Sequence, residues 1–142
     1  MQFFAICCKI FHMKPKNAMK TNPLPRPDPH QVLAKSTARA SVLLGLPGAA
    51  LSRIIGVSEP TVSRILKGDR PIDPASKEGE LSLLLVRVYR SLDALVGTDD
   101  QKRKDWMQSP NKALGGVPAQ LVERADGLVA TLNYLDGMRA PA

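Results

Sequence analysis

Glycine and proline divide this chain at short intervals, and between the breaks the apolar residues recur every three or four positions. Gly45 with Pro47, Gly56, Gly68, Pro71 with Pro74, Gly97 and Pro118 each interrupt or open a run of that kind. This period stacks side chains along one face of a helix, whereas a half-buried strand needs alternation in twos. No extended alternation of β-branched residues occurs. The fold class that follows is all-α. With 44% hydrophobic residues but only 4% aromatic, Leu, Val, Ile and Ala must build the core.

Helical spacing starts at Gln31, with Val32, Leu33, Ala38, Val42 and Leu43 on or near one face. A second short helix is expected over Gly48–Ile55. A third is expected from about Glu59 to Leu66, stopping at Gly68. Leu81, Leu84, Leu85, Val88, Leu92 and Leu95 form one stripe, which predicts a long helix over 79–96. The stretch 99–108 starts with acids, which suit a helix N-terminus, and carries Lys102, Arg103 and Lys104 as a solvated basic run. SPNKALGGVP reads as a structured turn. From Pro118 to about Gly137, the residues Leu121, Val122, Ala125, Leu128, Val129, Leu132 and Leu135 predict one continuous helix.

Residues 13–30 contain Pro15, Pro23, Pro25, Pro27 and Pro29, and proline at this density resists helix. The expected organisation is a disordered basic arm over 1–30, a helical region over 31–78 and a second helical region over 79–142. The net charge of +7 is unevenly placed. Lys9, Lys14, Lys16, Lys20 and Arg26 face only Asp28 in the arm, and basic residues also outnumber acids over 31–78. Beyond residue 78 the two signs balance. A positive excess confined to the N-terminal half favours a polyanionic partner there. Cys7 and Cys8 are adjacent and offer neither a disulfide framework nor a metal site, which points to the cytoplasm. The opening MQFFAICCKIFH is too short to span a bilayer and lacks a cleavage signal, so no membrane is expected; Met13 and Met19 are alternative starts.

The segment GAALSRIIGVSEPTVSRILK, 48–67, is the first to carry function. Ser52 is small enough to let two helices approach, and Gly56, four residues on, permits a left-handed turn. Leu51, Ile55, Val57, Val62 and Ile65 supply a shared core. Ser58 can cap the third helix, and Pro60 is tolerated in its first turn. This segment resembles the helix-turn-helix of phage-repressor-like regulators. In that motif the second helix enters the major groove of double-stranded DNA. Ser58, Glu59, Thr61, Ser63, Arg64 and Lys67 are the candidate DNA-binding residues of that helix and its start. Arg64 can reach guanine, Glu59 cytosine and Thr61 a thymine methyl. Arg53, Lys67 and Arg70 suit phosphates by type.

A second frame lies further on. Trp106, Pro110-Asn111, Ala113-Leu114-Gly115, Pro118 and Leu121 precede GLVATLNYLDGMR, 127–139. Together these resemble the toxin-binding domain of the Xre/MbcA/ParS antitoxin family, and with the helix-turn-helix the resemblance runs from Gln31 to the end. It implies a helix-turn-helix bundle followed by a small helical toxin-binding domain. It also implies a RES-domain toxin that consumes NAD as the partner, with the C-terminal end, about Tyr134 to Ala142, laid over the toxin's NAD cleft. On that basis Asn111, Leu114, Gly115, Tyr134, Met138, Arg139, Ala140, Pro141 and Ala142 are the candidate toxin-binding residues. Arg139 could satisfy toxin groups that otherwise hold substrate phosphate or carboxylate.

His12 and His30 both lie in the arm, and no HExxH, GxSxG, P-loop or GxGxxG motif occurs. Asp99, Asp100 and Asp105 are interleaved with Lys102, Arg103 and Lys104, which argues against a metal site. No catalysis and no cofactor are expected. The reading is an antitoxin that neutralises its toxin and represses its own operon as a homodimer. The alternative is a stand-alone helix-turn-helix regulator answering a small ligand, which would need a lined pocket.

Overall fold

The computed structural model describes residues 26–140, and every statement of structure below concerns these. The apolar start, most of the basic arm, Pro141 and Ala142 lie outside them. Seven helices and no strand are found: α1 Pro29–Leu43, α2 Gly48–Ile55, α3 Glu59–Lys67, α4 Lys77–Val96, α5 Asp100–Gln108, α6 Pro118–Leu121 and α7 Ala125–Arg139. The all-α expectation holds.

Local chemistry explains three of the helix starts. The Asp28 carboxylate accepts from the His30 N–H at 3.1 Å, and Pro29 needs no donor at the first helical position, so α1 starts inside the stretch expected to be arm. Ser76 Oγ accepts from Gly79 N at 3.0 Å and starts α4 two residues before the expected point. Asp99 accepts from the Gln101 and Lys102 amides and starts α5.

α4 packs against α1, α2, α5 and α7. One core therefore runs through both halves of the chain, with Leu51, Ile55, Val62, Leu85, Val88, Leu92, Leu128 and Leu135 fully buried in it.

Three expectations need correction. The buried side of α1 is Leu33, Ala34, Thr37, Ala40 and Ser41. Val32 and Val42 are instead 45% and 64% exposed. Thr37 and Ser41 enter the core because their hydroxyls donate to Leu33 O and Ala38 O of their own helix, each at 2.8 Å. Second, the helix expected from Pro118 to Gly137 is two helices. Gly127 lies against the backbone of Leu121, and an uninterrupted helix would not bring these two together. Third, Arg103 is not solvated. Its side chain is 3% exposed, pairs with Asp93 and Asp100, donates to Gly97 O at 3.0 Å and lies 5.6 Å from the centre of the Tyr89 ring.

Candidate DNA-reading face and partner-binding region

α2 and α3 are joined by a turn of the expected kind. Gly56 takes φ +73°, and its N–H donates to Ser52 O at 3.0 Å. The Ser52 hydroxyl donates to Val57 O at 2.5 Å, so this small residue does more than make room: it ties the turn shut. Leu51, Ile55, Val62 and Ile65 are buried as expected, and Val57 packs against the cluster from its edge.

The outer side of α3 presents Glu59, Ser63, Arg64 and Lys67, with Ser58 exposed just before it. Among the described residues, Arg64 Nε reaches only Pro60 O, at 3.5 Å, and Lys67 pairs with no carboxylate. Two candidates behave differently. Thr61 is buried, with its hydroxyl 2.9 Å from that of Ser58. It therefore belongs to the inner side of α3, and the thymine contact expected of it is withdrawn. Ser58 stands at the N-cap position but caps no amide, since its hydroxyl is engaged with Thr61.

Arg53 is also engaged. Its guanidinium makes a two-bond fork with Glu123, Nε to Oε2 at 2.7 Å and Nη2 to Oε1 at 2.8 Å. The hydrogen bond from Arg53 holds the Glu123 carboxyl below the usual glutamate range, and the same bond raises the Arg53 guanidinium. Arg70 stands 3.5 Å from Glu78.

In the second half, Asn111 does what its type suggests. Its side-chain oxygen accepts from the Ala113 and Leu114 amides at 3.0 and 3.2 Å, and its backbone pairs with Gly116. Gly115, at φ +73°, closes that turn. Leu114 is half-buried. Tyr134 stacks on Trp106 with centroids 6.5 Å apart and packs on the core, so one candidate contact has a structural task.

Met138 and Arg139 are not tail but the last turn of α7, with Ala140 as its C-cap. Met138 is 54% exposed. Arg139 folds back: its Nη1 donates to Ser91 Oγ at 3.2 Å, and Ser91 donates to Asp136 at 2.6 Å. Arg87 holds the other Asp136 oxygen at 3.1 Å. The end of the helix is thus fastened to α4, and any extension starts at Ala140. Pro141 and Ala142 lie outside the described residues.

Comparison with known families bears on both regions. The family model for the antitoxin Xre-like helix-turn-helix domain matches residues 23–87. That for the antitoxin Xre/MbcA/ParS C-terminal toxin-binding domain matches residues 91–140.

The chain belongs to the Xre-like antitoxin family.

Between them the two matches cover nearly all of the described residues of the antitoxin, and they meet inside α4. No curated protein matches it. Its second half, with the Asn111 turn, the Trp106–Tyr134 stack and α7, is a toxin-binding domain. Arg53 stands out in the sequence for its charge, and Glu123 does not. The two lie 70 residues apart, and nothing local in the sequence signals the pairing.

Proposed function

We propose that this antitoxin neutralises a RES-domain toxin that consumes NAD, by covering the toxin's active site, and that it represses its own operon as a homodimer in the cytoplasm. The observation that carries the reading is the joining of a helix-turn-helix and a toxin-binding domain through one helix, with each domain's candidate surface left open. On one side Glu59, Ser63, Arg64 and Lys67 face outward from α3. On the other, Met138 and Ala140 are exposed at the end of α7.

Arg64 reads a base in this proposal and Lys67 holds a phosphate. α3 has nine residues and reaches few base pairs, so two copies on two half-sites supply the remaining affinity. At the toxin, Met138 and Ala140 enter the cleft, followed by Pro141 and Ala142. Arg139, about half exposed, exchanges Ser91 for anion-binding groups of the toxin. The work is binding throughout, without catalysis by the antitoxin.

The test is co-expression with the neighbouring gene. Expression of that gene alone should arrest growth and deplete cellular NAD, and the antitoxin should restore both. Growth arrest that the antitoxin relieves while NAD stays constant would exclude an NAD-consuming toxin but keep the antitoxin. No rescue at all would remove the pairing.

A further inference from the structure

Arg53 and Glu123 come from different domains. Arg53 lies on α2 within the helix-turn-helix match, and Glu123 lies between α6 and α7 within the toxin-binding match. Their fork is the geometry in which a guanidinium also grips a phosphate diester, so a carboxylate and a DNA phosphate would use the same two N–H groups. Arg53 is exposed on α2, which packs against α3, the helix that carries the candidate DNA-reading residues. The Arg53 side chain is 55% exposed, which leaves it open to a ligand from solvent.

We propose that Glu123 is a built-in phosphate mimic: it occupies Arg53 in the free antitoxin, must be displaced by a backbone phosphate when DNA binds, and so sets DNA affinity from within the toxin-binding domain. This rests on the DNA-binding reading above. Exposed ion pairs are weak, with equilibrium effects up to about fivefold. A phosphate in the strong field of a duplex can therefore displace Glu123, yet the competition remains large enough to measure.

The experiment is a salt titration of DNA binding by fluorescence anisotropy. It compares the parent, Glu123→Gln, Arg53→Gln and the double variant, with circular dichroism to verify folding. The probes are the duplex upstream of the antitoxin gene and a scrambled duplex of equal length. Glu123→Gln should bind both duplexes about two- to fivefold more tightly than the parent at low salt. Arg53→Gln should bind more weakly, with a slope of log K against log salt shallower by about 0.9, the signature of one lost phosphate contact. In the Arg53→Gln background, Glu123→Gln should change nothing.

Unchanged binding by Glu123→Gln overturns the proposal while leaving DNA binding intact. Equal tightening in both backgrounds also overturns it, because Glu123 would then act as a diffuse negative charge rather than as an occupant of Arg53. If neither duplex binds the parent or any variant, the DNA-binding reading itself fails and takes the proposal with it.

Discussion

Gly127→Ala and Gly137→Ala should move the stability of the antitoxin in opposite directions, although both positions lie on α7. Alanine is favoured over glycine in a helix interior by about 1 kcal/mol, because glycine loses more backbone freedom on folding. At Gly137 a new Cβ meets nothing within 4 Å, so that gain is realised, less a little for nearness to the helix end: about 0.5–1 kcal/mol. At Gly127 the Cβ would overlap the Leu121 carbonyl oxygen and stand 2.8 Å from its carbon. The obstacle is backbone and cannot rotate aside. The same carbonyl accepts from Arg124 N at 3.2 Å in the turn between α6 and α7, so moving it loosens that turn. Overpacking of this kind costs about 1–3 kcal/mol, and the rigid obstacle favours the upper end. After the helical gain, a net loss of about 1–2 kcal/mol remains. Urea unfolding with a shared slope measures both, and in thermal melts the two variants should fall on either side of the parent by a few degrees. If Gly127→Ala proves as stable as Gly137→Ala, the close approach of α7 to Leu121 is wrong, and so is the explanation for the break between the two helices.

Three further outcomes are expected. Arg64→Ala should cost about 1–3 kcal/mol of binding to the operator and relax one base preference, whereas Lys67→Ala should weaken all duplexes alike; equal site discrimination by Arg64→Ala and the parent would refute its assignment. Deleting Met138–Ala142 should leave the circular dichroism spectrum and DNA binding nearly unchanged, since the fully buried Leu135 is retained, but should abolish or strongly weaken neutralisation; full protection of NAD by the truncated protein would shift attention to Leu114 and Gly115. Glu123 is held below the ordinary glutamate value of 4.5, so its contribution to stability is complete above that value and is lost as pH falls through the lowered one. Acid unfolding curves of parent and Glu123→Gln should therefore differ most above about pH 4.5 and converge only as pH falls through the lowered value.

The turn between α2 and α3 was legible because its requirements are local: one glycine able to adopt positive φ, one small residue and a fixed spacing of apolar side chains. The ends of α2 and α3 followed for the same reason. The face of α1 was misread because hydrophobicity is only a proxy for what a core accepts. Thr37 and Ser41 satisfy their hydroxyls on their own helix and then present little but carbon to the interior. Arg103 misled for a related reason: its charge is compensated by Asp93 and Asp100, and its flat group rests near Tyr89. Among the candidate DNA contacts, Ser63, Arg64 and Lys67 point outward as expected, but Thr61 does not, since at the start of a short helix a shift of one position separates inside from outside. The pairing of Arg53 with Glu123 and the fastening of Arg139 to Ser91 arise only when distant helices meet, and no window along the chain contains them.

The two family matches leave a gap of three residues, 88–90, in the middle of α4, where other two-domain proteins carry a linker. A linker absorbs insertions; a helix transmits them. One residue added here would turn the downstream half by about 100° and advance it by about 1.5 Å, carrying Glu123 away from Arg53 and pulling α4's buried face out of alignment with itself. Changes of length in this part of α4 should therefore be tolerated only near whole turns. A change that keeps the reading frame of the gene can still lose the frame of the helix.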